Sequence, residues 1–171
     1  MGREPQLAGQ TVVVVGGTCG VGLEIARRAR ADGADVIITA RDPDALHEIG
    51  LQLRASIAAV DATDIDRLGG FFDELATVNH IVVTDPGLSS AAPAAHDIAQ
   101  VARRAARTMR AGGTLLFVGA ISRRAPPELV LELAPVRLNL IPVGAGDPTG
   151  LAIRLMTSTA ATGATVDVRG E

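Results

Sequence analysis

The residue pattern most capable of chemistry is a set of three glycines at the end of a valine-rich segment. The chain reads TVVVV over residues 11–15 and continues as Gly16-x-x-x-Gly20-x-Gly22 into a segment with helical periodicity. Gly16 lets the chain leave a strand with backbone angles closed to other residues, and Gly20 lets the main chain approach a phosphate. Gly22 lets the following helix pack closely on the sheet. The pattern predicts a turn that binds the pyrophosphate of a dinucleotide.

The strand before these glycines and the helix after them supply the context that such a turn requires. The N–H groups and the dipole at the start of the helix would face the phosphates. A tight turn with a structural role alone is the alternative. Cys19 is the single cysteine of the chain, and we favour a small residue that fits the turn over a nucleophile. The predicted cofactor-binding residues of this turn are Gly16, Thr18, Cys19, Gly20, Val21 and Gly22.

Short apolar segments alternate with helical patterns along the whole chain. Most of these segments are apolar throughout, which is typical of parallel strands covered by helices on both faces. They lie at residues 11–16, 35–40, 55–60, 79–84, 113–118, 136–141 and 164–168. Helices are expected near 21–32, 43–53, 64–76, 95–110, 127–133 and 150–159. The alternation predicts an α/β fold in a single domain, residues 1–171, with a doubly wound, mostly parallel seven-stranded sheet of the Rossmann type.

Charge and composition limit the partners that this chain can have. A formal net charge of -3 and a pI near 5.6 provide no basic field for a nucleic acid. The 3 Phe residues are the only aromatic side chains and offer no stacking surface for bases. No segment approaches the roughly 18 consecutive apolar residues of a membrane helix. We expect a cytoplasmic protein with a small-molecule substrate and without nucleic-acid, membrane or metal partners.

The residue that ends the second apolar segment indicates which dinucleotide binds. This residue is Arg41, and the position before it is Ala40 rather than an acid. An acidic residue here binds the ribose hydroxyls of NAD, whereas a basic residue contacts the 2′-phosphate of NADP. A solvated Arg is the alternative interpretation. We therefore predict NADPH as the preferred cofactor, with NAD as the weaker ligand.

Several segments resemble the short-chain dehydrogenase/reductase family, and the chain is identified as an atypical, shortened member of it. GGTCGVG resembles the family's TGxxxGxG turn, with Val15 in place of its Thr, and VIITAR resembles its second strand. GGTLLFVGAIS, ELAPVRLNLIPVG and TSTAATGATVDVRG resemble its later strands and last helix. The resemblance touches nearly the whole chain and implies a Rossmann fold and an NADP-dependent oxidoreductase.

The resemblance also implies contacts to the adenosine half of the cofactor. DATD at 61–64 resembles the family's adenine-side segment, so Asp61 and Ala62 are candidate contacts, with Asp61 accepting a hydrogen bond from the adenine amino group. TDPG at 84–87 resembles a degraded NNAG, which adds Asp85 and Gly87 as cofactor-binding candidates. Asp85 either caps a turn before the following proline or contacts ribose, and the sequence leaves both open.

The proton-transfer groups of that family have no counterpart here. In the family a Tyr donates a proton to a carbonyl, a Lys lowers the pKa of that Tyr, and a Ser holds the substrate oxygen while the nicotinamide delivers hydride. This chain contains no Tyr and no Lys, and Gly119 and Ala120 stand where the Ser is expected. For Ser122, capping a turn is favoured over contacting a ligand. The catalytic residues are therefore unassigned.

The chain is also short for the family, and the shortening falls on the substrate side. Segments are missing between residues 87 and 95, 121 and 133, and 144 and 150. A naturally trimmed relative and a sequence that lacks its mobile segments are the two explanations. Three functions stay open: an NADP(H)-binding oxidoreductase homologue, a noncatalytic nucleotide-sensing or partner-binding module, and a non-redox enzyme such as a dehydratase or cyclase.

For several other polar residues the sequence favours structural roles. His47, His80 and His96 lack metal-ligand spacing, and we expect structural or solvent-facing roles for them. Asp147 and Thr149 follow the position of the family's nicotinamide-side loop, although the spacing differs by one residue. Four arginines at helical spacing predict a solvated face rather than an anion site. They are Arg103, Arg104, Arg107 and Arg110.

The last part of the chain suggests self-association. Residues 150–168 resemble the family's two-fold packing segment, and several apolar side chains there would be exposed on an isolated chain. We therefore expect a homo-oligomer, a homodimer at least. The apolar residues in question are Leu151, Ile153, Leu155 and Met156.

Overall fold

The computed structural model describes residues 4–84, 95–119, 125–142, 144 and 146–158 of the chain. Strands and helices alternate throughout this part. The strands are β1 (Thr11–Val15), β2 (Asp35–Ala40), β3 (Ser56–Ala59), β4 (Val78–Thr84), β5 (Met109–Gly119) and β6 (Arg137–Pro142). The helices are α1 (Gly20–Ala31), α2 (Pro43–Leu53), α3 (Ile65–Glu74), α4 (Ala95–Arg107), α5 (Pro127–Leu133) and α6 (Pro148–Thr157). None of the helices within these ranges has the length and apolar character that crossing a membrane requires.

The strands form one parallel sheet in the order β3-β2-β1-β4-β5-β6. Because β1 lies between β2 and β4, the chain builds the sheet outward in one direction and then in the other. This reversal opens a crevice at the carboxyl ends of the central strands, where ligands bind in open α/β sheets. The predicted doubly wound α/β fold is confirmed. The described sheet has 6 strands, one fewer than predicted, and the expected strand at 164–168 lies outside the described residues.

The bounds of the elements agree with the sequence prediction where local signals mark them. Asp42 caps α2 and Pro43 begins it, so the predicted range 43–53 is confirmed. The strand β5 begins at Met109 rather than at the predicted 113, because Met109 pairs with Val78 of β4. The helix α4 therefore ends at Arg107 instead of continuing to residue 110.

Two apolar cores lie on opposite faces of the sheet. One joins the sheet to α1, α2 and α6, with Ile25 and Leu46 among its fully buried members. The other joins it to α3, α4 and α5, with Phe72 fully buried. The central strands are thus covered on both faces, as their apolar sequences predict. β3 differs because it is an edge strand of the described sheet, and its Ile57 is 42% exposed.

The apolar residues of α6 are covered by the chain itself. Leu151, Leu155 and Met156 are at most 7% exposed and belong to the core that α6 shares with α1 and the sheet. Ile153 is partly buried against the same core. The interpretation that these side chains need a second copy to cover them is therefore wrong, because it assigned them to an outer face. A homo-oligomer stays a prediction that these residues do not support.

A buried histidine links three parts of the chain at the amino ends of the strands. His80 of β4 is 3% exposed, with Nε2 2.6 Å from Oε1 of Gln10 and Nδ1 3.2 Å from the N–H of Thr114. Because the Thr114 amide can only donate, Nδ1 accepts, and Nε2 carries the proton that is donated to Gln10. The imidazole is therefore neutral. Burial, aided by the nearby Arg137 charge, lowers the pKa of His80 from 6.5 to about 4. The expected structural role is confirmed.

This histidine predicts a loss of stability in mild acid. Because the folded-state pKa is about 4 and the unfolded value 6.5, the unfolded chain binds a proton in this range that the folded chain excludes. The stabilisation is complete above pH 6.5 and is lost as the pH falls towards 4. Between about pH 7 and about pH 4.5, the free energy of unfolding should fall by about 2 to 3 kcal/mol on account of this group.

Urea denaturation at the two pH values measures this effect. His80→Gln should remove most of that difference, while His47→Gln, at an exposed position of α2, should retain it. The carboxylates contribute equally in all three proteins. An unchanged pH dependence in His80→Gln would contradict the assignment.

Candidate functional site

The three glycines form the turn between β1 and α1, at the central crevice of the sheet. Gly16 and Gly20 have φ values of 80° and 54°, in the region that favours glycine. A β-carbon on Gly22 would overlap the carbonyl oxygen of Gly16 and would lie 2.8 Å from Oγ1 of Thr84. The conformational and packing roles predicted for these glycines therefore match the geometry. The result is a helix that begins unusually close to the ends of β1 and β4.

Hydrogen bonds hold the inner part of this turn on two sides. The N–H groups of Gly16 and Gly17 both donate to the carbonyl of Thr39 in β2, at 2.9 and 3.1 Å. On the other side, the Thr84 hydroxyl donates to the carbonyls of Val15 and Gly16, at 2.7 and 3.0 Å. The N–H groups of residues 18–21 form no hydrogen bond within the described part of the chain. Four neighbouring amide donors are thus available to a ligand.

The start of α1 differs from the starts of α2, α3 and α6. An Asp side chain caps α2, α3 and α6, accepting from the N–H of Asp44, Arg67 and Gly150 respectively. Cys19 occupies the cap position of α1, is exposed and makes no capping bond, and the first turn of α1 contains no acid. The positive end of the α1 dipole is therefore uncompensated by the described side chains. Such an end attracts an anion.

Arg41 and Asp61 lie at the carboxyl edge of β2 and β3. Arg41 is exposed and forms no hydrogen bond or ion pair within the described residues, so its guanidinium is available to a phosphate. The nearest acid along the chain, Asp42, caps α2, with its Oδ1 accepting from the Asp44 N–H at 3.0 Å. Arg41 is thus the first residue after β2, and it carries a positive charge.

The Asp61 carboxyl group is held in its charged form. Its Oδ1 accepts hydrogen bonds from the Thr63 hydroxyl at 2.7 Å and the Thr63 N–H at 2.9 Å. These two bonds, and more weakly the charge of Arg41, lower the pKa of Asp61. Its Oδ2 makes no hydrogen bond among the described residues and remains available to a donor. Ala62 is partly buried against the core on the α3 side.

Several predicted residues lie outside the described part of the chain. They are Asp85 and Gly87 of the cofactor set, together with Ala120 and Ser122. Thr84, by contrast, is described, and its hydroxyl faces the turn rather than the crevice. This bridge was not predicted from the sequence, although a Thr that ends the strand beside β1 was the available signal. The Thr39 carbonyl carried no signal, because its partners depend on strand register.

Asp147 and Thr149 serve α6 in this structure. Oδ1 of Asp147 accepts from the Gly150 N–H at 2.9 Å, which caps the helix, and its Oδ2 lies 3.5 Å from NH1 of Arg28. Thr149 is 9% exposed. Asp147 therefore has a local structural role, and the predicted contact of both residues with a nicotinamide amide stays untested.

The arginines predicted to form a solvated face on α4 are partly engaged in ion pairs. Arg103 pairs with Glu132 of α5 through two contacts of 2.8 and 3.0 Å, and Arg104 donates to Asp73 of α3 at 2.7 Å. The pairing raises the pKa of Arg103 and lowers that of Glu132. A shallow groove of about 410 Å³ runs beside this pair to Met109 and Val136, at the amino ends of β5 and β6. It lies on the opposite edge of the sheet from the glycine turn, so it is not the substrate side of that turn.

Comparison with known proteins shows which family model the residues of this site match. A family model described as short chain dehydrogenase matches residues 10–84, which include β1, the glycine turn, Arg41, Asp61 and Thr84. Over these residues the chain matches the short-chain dehydrogenase family. The resemblance inferred from the sequence motifs is thereby confirmed, and so is the oxidoreductase family to which they pointed.

Individual known proteins match this chain well beyond the glycine turn. A fatty acyl-CoA reductase from Acinetobacter baylyi is 30% identical over 135 residues, which are 74% of this chain and 42% of that protein. The chain thus spans about two fifths of that relative's length. The structure of BdcA from E. coli superposes with a TM-score of 0.79 at 22% identity, over 97% of this chain and 100% of that one. A structure of BdcA in complex with NADPH gives 0.75 at 20% identity, over 95% of each chain.

The close approach at Gly22 gives a direct test of the site. Gly22→Ala should push α1 away from the turn, because its β-carbon would overlap the Gly16 carbonyl oxygen. We expect a loss of about 1 to 3 kcal/mol in the free energy of unfolding and a marked loss of NADPH affinity. Chemical denaturation and calorimetry measure the two effects.

Gly70→Ala is the matched control for this variant. Gly70 lies in α3 with nothing near the place of a β-carbon, so Ala there should stabilise the helix slightly and leave binding unchanged. Equal unfolding free energies and equal NADPH affinities in the two variants would show that the close contact at Gly22 matters for neither stability nor binding.

Proposed function

We propose that this chain binds NADP(H) as an oxidoreductase homologue of the short-chain dehydrogenase type, with an unassigned substrate. The observation that carries the proposal is the group of unpartnered N–H groups of residues 18–21 at the start of α1. These donors would hold the pyrophosphate, and the uncompensated helix dipole would add to the attraction. The BdcA structure in complex with NADPH supports the choice of ligand class.

The residues at the neighbouring strand ends fit the adenosine half of the same ligand. Arg41 would contact the 2′-phosphate, and Oδ2 of Asp61 would accept a hydrogen bond from the adenine amino group. Gly20 has nothing near the place of a β-carbon, so the main chain is open to the cofactor there. When bound, the nicotinamide supplies hydride transfer. The chain's own described residues bind and orient it.

A second candidate is a noncatalytic nucleotide-binding module that uses the same site. The sequence favours this candidate through its lack of Tyr and Lys, which leaves a reacting carbonyl without the family's usual proton donor. Both candidates require NADP(H) binding, and they differ only in turnover. Binding is therefore tested first, and turnover then separates the two.

The preference between the two nicotinamide cofactors tests the role of Arg41. A charge-assisted contact to the 2′-phosphate should make NADPH bind more tightly than NADH by about 1.5 to 3 kcal/mol. Arg41→Glu should reverse the preference, because the carboxylate repels the phosphate and can accept from the ribose hydroxyls. Arg107→Glu, which changes the charge equally on an exposed position of α4, should leave the preference intact. Calorimetry that found equal affinities in the parent chain would remove Arg41 from this role.

The expected catalytic behaviour follows from the missing proton donor. General acid catalysis typically contributes about 10² to 10⁴ in rate, and an unactivated hydroxyl is a poor acid at neutral pH. A polypeptide of this sequence should bind NADPH and yet oxidise it near the background rate with a panel of ketones and quinones. Stopped-flow or steady-state absorbance measures the turnover. Robust turnover by protein with a confirmed mass of 17.5 kDa would contradict the prediction and favour the first candidate.

A further inference from the structure

The hydroxyl of Thr84 is the only described side-chain group that bonds the carbonyl side of the glycine turn. Thr84 ends β4 and is 6% exposed. Its single proton lies between the carbonyl oxygens of Val15 and Gly16, at 2.7 and 3.0 Å, as a shared hydrogen bond. Val15, where the family's turn has a Thr, brings no hydroxyl of its own. The hydroxyl that bonds the turn therefore belongs to the neighbouring strand, β4.

This bond fixes the orientation of the peptide groups that precede the free amides. The Thr39 carbonyl holds the N–H groups of Gly16 and Gly17, while Thr84 holds the carbonyl groups of Val15 and Gly16. Because both sides are held, the direction of the chain after Gly17 is fixed. The next N–H groups, those of residues 18–21, then lie at the start of α1. Removing the hydroxyl would take the described donor from the buried Gly16 carbonyl and would release one side of the turn.

We infer that Thr84 is a positioning residue for cofactor binding: its hydroxyl orients the glycine turn so that the amides of residues 18–21 converge on the pyrophosphate. This inference rests on the proposed NADP(H) function. Thr84 acts through the turn and does not touch the cofactor. Loss of the hydroxyl should therefore weaken binding of the pyrophosphate. Binding of the adenosine end should be unaffected, because its candidate contacts, Arg41 and Asp61, follow other strands.

Thr39 provides a matched control on the other side of the same turn. It is also a buried Thr near the carboxyl end of an interior strand, β2, but its hydroxyl has no hydrogen-bond partner in the described structure. Only its carbonyl group contacts the turn, and substitution of the side chain leaves that group in place. The two threonines thus differ in whether the hydroxyl is used.

The experiment compares Ser with Ala at both positions, because these side chains differ by one oxygen atom. Calorimetry gives the affinities for NADPH and for adenosine 2′-monophosphate, which lacks the pyrophosphate. Thr84→Ala should bind NADPH about tenfold more weakly than Thr84→Ser, as expected for a lost buried hydrogen bond. The two should bind adenosine 2′-monophosphate equally. Thr39→Ala and Thr39→Ser should not differ for either ligand.

Thermal unfolding of each variant is measured first. If Thr84→Ala does not fold, Thr84→Val, which keeps the volume without the hydroxyl, replaces it. If neither folds while Thr84→Ser does, the hydroxyl is required by the fold and the positioning role is overturned. Equal NADPH affinities of the Ser and Ala variants at Thr84, or equal losses for both ligands, would also overturn it. Failure of the parent chain to bind NADPH would defeat the proposed function itself, which is a separate outcome.

Discussion

The close approach of α1 to the ends of β1 and β4 is the constraint on which the rest of the site depends. At Gly22 the helix leaves no room for a side chain beside the Gly16 carbonyl and the Thr84 hydroxyl. This contact brings the first turn of the helix to the crevice between the central strands, where the sheet order reverses. A phosphate site made of main-chain amides requires such proximity, because amide groups cannot extend towards a ligand as long side chains do.

The polar groups at the two edges of the sheet differ in their hydrogen bonding and exposure. At the amino ends, the His80 ring, the Gln10 side chain and the Thr114 amide satisfy one another and are buried. At the carboxyl ends, the amides of residues 18–21 and the Arg41 guanidinium have no hydrogen-bond partner in the described structure. Buried polar groups in native proteins are normally paired, so the first edge stabilises the fold. The unpaired, accessible groups of the second edge are available for a ligand.

Much of this architecture follows from local sequence. The apolar segments predicted the strands, and Asp42 with Pro43 predicted the start of α2, because each signal acts within a few residues. The burial of Leu151, Leu155 and Met156 could not be predicted in the same way, since a helix sequence shows an apolar face without showing what covers it. The inward direction of the Thr84 hydroxyl likewise depends on how β4 pairs with β1. The glycine motif could therefore be predicted from the sequence, but the hydrogen bonds that support it could not.

The bridge from Thr84 to Val15 also has a consequence for how the chain folds. It joins groups separated by 69 positions, with three helices and two strands between them. Parallel pairing over such distances forms slowly, because the entropy of closing the loop is lost before the new contacts stabilise it. The segment from β1 to β3 can assemble from nearer contacts, whereas the carbonyls of the turn stay unpaired until β4 docks beside β1. A chain in which β4 has not yet docked has every glycine of the motif and still lacks the fixed turn that those glycines serve.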